Sequence, residues 1–561
     1  MCKKIKLNLK YVSEYLKDIE FINKGATVFI EAQTGTGKTT AILGSNGIDG
    51  LIDKMGDKKL IYLVNRLELK REIKLHLCNK FGITNHLDDN GVVNLKVLDG
   101  INEFKNVTIM SYQQLDKEIN NREKKLRLLS DKNKDLFIEA LDRVFTLEYY
   151  DYIVCDEIHY LFADANFNDK TVSAYNELVR TFYGNSIKIF MTATADDVKE
   201  AIRGEITKQC NGLNLKLEDY YKEYSTNTDY SYLNIKYYYS KKDIITTIKN
   251  SKNDGTKWMF FMNNISLIKE LVNQLVESGI NAKYLTANEG DEVKQQIRDT
   301  NQFDCKVLFA TSALDCGVNI KDDKVVNVVI DSMVKTAFIQ ELGRVRININ
   351  NAPIINLYIP TKSPKAFRSR LKNVNENINQ IKLFENDSIY FDDIDSRNLC
   401  KAFKHKGKEL YINQIVYQSY KNDRKFLVDI LERIEKDKFA FIKEQLGWLK
   451  LESTFDENNL IEDVLDKSGA DTLEGYLEDC VANGTEFLTK EDREPLIKKI
   501  GLVDEHNSSF KKGKITYVKN IETLNSHLTS LGLNYQIVQL PRGTTRNKKG
   551  YRAIWIVKKL Y

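Results

Sequence analysis

Short apolar runs rich in β-branched residues punctuate the first 360 positions of the chain, and stretches with helical spacing separate them. The first set is Ala26–Glu31, Leu60–Val64, Val107–Met110, Tyr152–Cys155 and Ile187–Met191. After an interval come Lys257–Met262, Lys306–Ala310, Val325–Ile330 and Ile354–Ile359. Near-continuous apolar strands are buried on both faces, which calls for parallel sheets covered by helices. Two such sets predict two α/β domains. Residues 113–148, rich in Leu and Lys, read as one or two exposed helices inserted in the first. From about residue 376 the pattern turns mainly helical, and all five prolines lie beyond residue 350. No internal sequence repeat stands out.

The tail reads differently. Ile521–Leu533 has helical spacing, and Asn534–Leu540 and Tyr551–Lys559 read as strands. Between the strands lies the basic stretch PRGTTRNKKG, with Arg542, Arg546, Lys548 and Lys549. Helix, strand, basic loop, strand is how a winged-helix nucleic-acid-binding module ends. A plain hairpin with a solvated tip is the alternative.

Composition narrows the class. Hydrophobic residues make up 42% and charged residues 29%, the balance of a globular protein. No apolar run approaches the length of a membrane span, and the basic N-terminus lacks the apolar core of a secretory signal. Eight cysteines without a C-x-x-C pair read as reduced thiols and point to a cytoplasmic protein without a zinc site. The net charge of +5 is mild, but its distribution is not. Residues 451–486 hold eleven Asp/Glu against one Lys, and residues 501–561 hold eleven Lys/Arg against three Asp/Glu. A basic terminal module suits a polyanion, and the acidic stretch beside it either masks that module or is a solvated face. The C-terminal region is also where protein partners would dock.

The chemistry begins at Glu31–Thr40, EAQTGTGKTT, which follows a predicted strand and opens a predicted helix. That context makes a P-loop, with Ala32 where the first glycine usually stands. Gln33, Thr34, Gly35, Thr36, Gly37, Lys38, Thr39 and Thr40 would surround the phosphates. Backbone N–H groups converge on phosphate oxygens there, and the helix N-terminus adds a favourable dipole. Lys38 would reach the β and γ phosphates, and the Thr39 hydroxyl would hold Mg²⁺. The second metal-binding part is Asp156, at the carboxyl end of the strand Tyr152–Cys155, where ligands gather in open α/β sheets. Asp156 would hold Mg²⁺ and Glu157 would act as base or position the attacking water.

With Asp156-Glu157-Ile158-His159 in place, the chain resembles the DExH-type helicases of superfamily two. Further motifs follow in the family's order: Leu60–Ile73 with Arg66, Met110–Leu115 with Ser111, Met191–Ala195 with Thr192 and Thr194, Val307–Ile320 with Thr311, Gly317 and Asn319, and Gln340–Arg346. The resemblance spans roughly residues 20–375. It implies an α/β protein of two tandem RecA-like parallel-sheet domains, with a mainly helical C-terminal region ending in the winged-helix-like module. The expected divisions are 1–225, 226–375, 376–500 and 501–561. It implies ATP bound between the two domains, with Gln340, the arginine finger Arg344, and Arg346 reaching in from the second, and Gly317 and Asn319 beside the nucleotide. His159, Thr192 and Thr194 would couple this site to a strand of nucleic acid, whose phosphates would meet Arg66, Ser111, Thr311 and the tail's Arg542, Arg546, Lys548 and Lys549. Two departures stand out. The last motif reads Gly343-Arg344-Val345-Arg346, without a glycine between the arginines. No glutamine precedes Gln33, so the adenine-reading glutamine of DEAD-box proteins is absent and selectivity among nucleoside triphosphates stays open.

The resemblance thus implies an ATP-dependent helicase or translocase, on DNA rather than RNA because of the tail. A nucleic-acid-stimulated ATPase switch within a larger assembly is the alternative. No nuclease carboxylate cluster or metal-ligand spacing suggests another activity. Trp258, Trp448 and Trp555 lie in apolar surroundings and read as core. The tyrosine-rich stretch 219–240 reads as strand and linker packing, with base stacking as the alternative.

Overall fold

A computed structural model describes residues 4–45, 47–88, 91–130, 145–163, 171–286, 289–311, 319–386, 399–406, 409–461, 473–502, 517–531, 533–540 and 554–560. The chain divides into two compact units, Met1–Ile461 and Glu462–Tyr561. No described helix is long and apolar enough to cross a membrane.

The larger unit holds two lobes. A short N-terminal strand, β1 (Lys4–Ile5), precedes the first. Lobe 1 is built on β2 (Thr27–Glu31), β3 (Leu60–Val64), β4 (Glu103–Phe104), β5 (Val107–Ser111), β6 (Tyr152–Asp156), β7 (Ile187–Thr192) and β8 (Tyr221–Ser225). They form one sheet in the order β4-β5-β3-β6-β7-β2-β8, parallel except for β4. Every residue of β3, β6 and β7 is buried, as the continuous apolar runs require, and two separate apolar clusters form on the two faces of the sheet. The helix Tyr112–Ser130 covers the start of the insertion expected over 113–148 and buries Leu115 and Ile119, and residues 131–144 lie outside the described residues.

Lobe 2 follows with β9 (Leu233–Tyr238), β10 (Lys257–Phe261), β11 (Ala282–Leu285), β12 (Val307–Ala310), β13 (Val325–Ile330), β14 (Ala352–Pro353) and β15 (Ile355–Pro360). β14 pairs with β1, so the N-terminus is tied to lobe 2 before the chain enters lobe 1. A hairpin, β16 (Phe403–Lys406) and β17 (Glu409–Ile412), lies between the long helices Pro364–Asn386 and Gln414–Ile434. After the helix Ala440–Trp448 the chain returns as β18 (Leu460–Ile461) and completes the lobe-2 sheet, order β11-β12-β10-β13-β15-β9-β18, all parallel.

Numbered by place in the sheet, the strands of both lobes run 6-3-1-2-4-5-7 along the chain. One topology is used twice, although the sequence shows no repeat. The helical region expected as a single domain, 376–500, is divided instead. Its part up to Ile461 shares the lobe-2 core through Val416, Leu427, Phe441 and Leu446, and supplies the last strand of that sheet. The rest belongs to the smaller unit.

That unit runs helix Leu473–Ala482, β19 (Glu486–Phe487), helix Lys490–Ile500, helix Ile521–Ser530, β20 (Tyr535–Leu540) and β21 (Ile554–Lys559). β21 pairs antiparallel with both β19 and β20. Thr489 and Asp492 form a capping box at the start of the second helix, and Gly501 in the left-handed region ends it. Leu477, Leu496, Leu524, Tyr535 and Trp555 meet in its core. The order is helix, strand, helix, helix, strand, strand, with β21 between β19 and β20, and the unit begins well before residue 501, the start expected for the winged-helix-like module. Trp258 and Trp555 are buried as expected, and Trp448 is almost fully so.

Candidate nucleotide and nucleic-acid site

At the carboxyl end of β2 the chain leaves the sheet through a six-residue turn, Ala32–Gly37, and enters the helix Lys38–Leu43. Gly35 and Gly37 adopt φ of +92° and +77°, in the left-handed region that side chains other than glycine rarely enter. The turn thereby places Lys38 at the first position of the helix.

Two strands away, β6 ends on Asp156. Glu157 follows with φ of +51°, an uncommon conformation for a non-glycine residue. Its carboxylate meets Lys38, with Lys38 Nζ 2.5 Å from Glu157 Oε1. His159 Nδ1 lies 3.2 Å from Glu157 Oε2 and 2.9 Å from Thr192 Oγ1. Thr192 Oγ1 in turn accepts from Thr194 N at 3.0 Å. His159, Thr192 and Thr194 therefore form one buried line from Glu157 to the turn after β7.

The two carboxylates diverge electrostatically. Burial alone would raise Glu157, but Lys38 first and His159 next hold it well below the usual carboxylate range. Burial raises Asp156, and the neighbouring Glu157 charge adds to this while Lys38 opposes it. Tyr62 donates to Asp156 Oδ2 at 2.9 Å, and Thr39 and Asp156 line the same cleft. An all-oxygen donor set suits a hard cation such as Mg²⁺. Among the described residues, no group of three or more His, Cys, Asp or Glu side chains could hold a metal.

Lobe 2 closes the site. Asn319, Gln340, Gly343, Arg344 and Arg346 line one cleft with Thr34, Lys38, Thr39, Asp156 and Glu157. Gln340 Nε2 reaches Glu157 Oε2 at 3.4 Å across the lobe boundary. Gly343 is needed for close approach, because a Cβ there would stand 2.6 Å from Thr34 Oγ1. Arg346 donates from Nε to Asn319 Oδ1 at 2.8 Å, and the backbones of Ile320 and Arg344–Arg346 form a parallel bridge. Burial, helped by the Arg344 charge, lowers Arg346 to about 10, so it stays a cation near neutral pH. Away from the cleft, Arg298 Nη2 pairs with Glu68 Oε1 at 2.7 Å, a second tie between the lobes.

Other expected residues land elsewhere. Thr36 is buried inside the turn, with its hydroxyl on Gln33 O. Thr40 caps the end of its own short helix, its carbonyl accepting from Gly44 N. Gln33 lines a pocket that adjoins the Lys38 cleft and shares Thr34, Gly343 and Arg346 with it. Its side-chain amide donates to Asp229 O at 2.9 Å and accepts from Asp229 N at 2.8 Å. It therefore grips the interlobe linker, and Asn8 N in the N-terminal segment holds the Asp229 carboxylate at 2.6 Å. Arg66, expected on nucleic-acid phosphates, lines the cleft with Lys38 and Arg344. Ser111 sits at the end of β5 in a turn with Gln114, and Thr311 follows β12. Both occupy the carboxyl edge of the second strand of their sheets. Gly317, Arg542, Arg546, Lys548 and Lys549 lie outside the described residues. The helix before the β20–β21 hairpin presents Glu522, Thr523, Ser526 and Thr529, so it is not a basic recognition helix.

Residues 2–197 match the family model for "Type III restriction enzyme, res subunit", and residues 240–348 match the "Helicase conserved C-terminal domain". No curated protein matches the chain. Among solved structures, the Mycobacterium smegmatis helicase Lhr bound to ssDNA and AMP-PNP is similar at 16% identity and a TM-score of 0.41, covering 65% of this chain and 47% of that one. Saccharomyces cerevisiae Dbp5, bound to RNA and ADP BeF3, is similar at 14% identity and a TM-score of 0.42, over 64% of this chain and 85% of that one. The DEAD-box helicase Mss116, bound to ssRNA and UDP-BeF, is similar at 15% identity and a TM-score of 0.42, over 80% and 88%. The chain spans about half the length of the Lhr chain.

Proposed function

This chain belongs to helicase superfamily two as a protein of two RecA-like domains, and from that premise we propose that it is an ATP-driven motor that moves along or unwinds nucleic acid. The observation that carries the reading is the shared cleft: Lys38, Thr39, Asp156 and Glu157 from one lobe face Gln340, Arg344 and Arg346 from the other.

In this reading ATP occupies the cleft with Mg²⁺ held by Thr39 and Asp156, the ion neutralising phosphate charge. Lys38 exchanges its partner Glu157 for phosphate oxygens. That exchange frees Glu157, which His159 still faces, to position water and accept its proton. Arg344 and Arg346 supply positive charge where it develops in the transition state, and they do so only while the lobes are closed. Arg66 adds a further cation to the same cleft. His159 passes the change at Glu157 to Thr192 and Thr194. Opening and closing then alternate with nucleotide state, and a strand lying over Ser111 in lobe 1 and Thr311 in lobe 2 is gripped unequally in the two states. DNA is the preferred substrate, because a winged-helix-like unit is added to the motor.

The test is ATP turnover with single-stranded DNA, duplex DNA and RNA in parallel, followed by strand displacement on tailed duplexes. The motor reading expects stimulation and displacement. Stimulation without displacement on any tailed duplex would leave a switch rather than a motor.

A further inference from the structure

The duplicated topology allows the two lobes to be compared place by place. In lobe 1 the sixth strand, β2, leads through six residues to Lys38 at the start of a helix, and the fourth, β6, ends on Asp156. In lobe 2 the sixth strand, β9, leads through only Tyr239 and Ser240 to Lys241 at the start of the helix Lys241–Asn250. The fourth, β13, is followed by Asp331. Lys241 pairs with Asp331, as Lys38 pairs with Glu157. Lobe 2 therefore keeps the lysine and the acid but has no glycine turn to cradle phosphates.

A second lysine has been added. Lys362, just past β15, pairs with the other oxygen of the same carboxylate. A second carboxylate, Asp243, stands at the same edge and accepts from Ser240 N at 2.7 Å, so two lysines meet two acids there. Tyr239 precedes this cluster in the chain. Of the tyrosines between residues 219 and 240, Tyr221, Tyr230, Tyr232, Tyr237 and Tyr238 are buried and Tyr220 and Tyr224 half-buried, while Tyr239 is 49% exposed. Lys438, at the surface before the helix Ala440–Trp448, places Nζ 5.9 Å from the Tyr239 ring centroid. An exposed aromatic ring beside a lysine is the chemistry that holds a single strand of nucleic acid: bases stack on the ring, and phosphates pair with the cation.

We propose that Tyr239 and Lys438 form a platform for single-stranded nucleic acid on lobe 2, separate from the motor's own contacts. The proposal rests on the motor reading, which supplies the strand. Thr311 lies at the second strand of the lobe-2 sheet and Tyr239 at the sixth. Four strand spacings separate them, about 19 Å. A strand lying over both lobes would reach the platform only by continuing past Thr311, so the contribution depends on its length.

The test uses the full chain and fluorescence anisotropy with labelled oligo-dT and oligo-rU of about 8 and about 20 nucleotides, lengths bracketing common single-strand site sizes. The platform predicts tighter binding of the longer oligonucleotides by the unaltered protein. Tyr239→Ala with Lys438→Ala should weaken that binding roughly tenfold, a value within the range for removing one stacked base. The same double variant should bind the short oligonucleotides as before and keep its basal ATP turnover. Tyr239→Phe should retain long-strand binding, and Lys438→Ala alone should lower the salt slope by about one. An equal loss with dT and rU assigns the site to backbone and base stacking, whereas loss with one alone assigns it to that nucleic acid. Long-strand binding unchanged in the double variant, while the short oligonucleotides bind, would overturn the platform and leave the motor intact. If the unaltered protein binds neither length, the motor reading fails and the platform with it.

Discussion

The two lobes share one strand order and differ in what each hangs on it. Lobe 1 spends six residues between β2 and its helix, two of them glycines with positive φ, and gains a cradle of backbone N–H groups around Lys38. Lobe 2 spends two residues on the same connection, and its lysine is held by an aspartate that a second lysine also claims. Topology alone thus places a cation and an acid at corresponding edges of both sheets. What makes one edge a triphosphate site is the turn and the arginines that face it. The other edge keeps a paired cluster of lysines and aspartates.

Substitutions that hit corresponding positions break this comparison most sharply. Lys38→Ala should lower ATP turnover by about 10³-fold or more, whereas Lys241→Ala should leave turnover within about twofold. Parallel steady-state assays on the purified variants read the contrast, and an equal loss in both would erase the distinction between the lobes. Glu157→Gln should bind ATP yet cleave it roughly 10²–10³-fold more slowly, the cost of losing the group that positions water. Turnover at the unaltered rate would remove that role from Glu157.

Asp331→Asn sharpens the comparison from the other side, because it should damage stability rather than turnover. It leaves two half-buried lysines without their counter-charge, at a cost of about 3 kcal/mol. Burial would raise Asp331, but Lys241 and Lys362 hold it below the ordinary aspartate range. A depressed acid contributes stability that is present above its unfolded value near 3.9 and is lost as pH falls through the folded value. The difference in urea midpoint between Asp331→Asn and the unaltered chain should therefore be largest near neutral pH and shrink in acid. A difference that grows in acid would contradict the assignment. The smallest effect concerns the other unit: removing residues 462–561 should weaken duplex DNA binding and lower its salt slope by about one for each phosphate that the shortened chain no longer engages.

The strands that determine both sheets were legible because burial on two faces leaves unbroken apolar runs, as in β3, β6, β7 and β13. β11 and β18 were not. The residues of β11 are only partly buried in the middle, and β18 is two residues long and pairs Leu460 with Tyr237, 223 residues earlier in the chain. The duplication is invisible in the sequence for a related reason: strand order is a property of the path, and the same path is compatible with unrelated side chains. Spacing and family pattern pick out Lys38, Asp156, Glu157, Gln340 and Arg344, and the structure brings them to one cleft. Gln33 was placed by the P-loop pattern and Arg66 by the family resemblance, and geometry puts the first on the linker backbone and the second on the cleft wall. The boundary at Ile461 was hidden because helices on both sides of it look alike in hydropathy, and only packing separates them. Only exposure distinguishes Tyr239 from its neighbours, and the alternating β9 pattern obscures it.

The central claim is that a triphosphate is cleaved only when an arginine of lobe 2 meets the lysine-bearing turn of lobe 1. Single-turnover ATP cleavage by Arg344→Ala, with ATP affinity measured on the same preparation, tests it most directly. The account predicts binding within a few-fold of the unaltered protein and cleavage slower by about 10³-fold or more. Cleavage at the unaltered rate would contradict it.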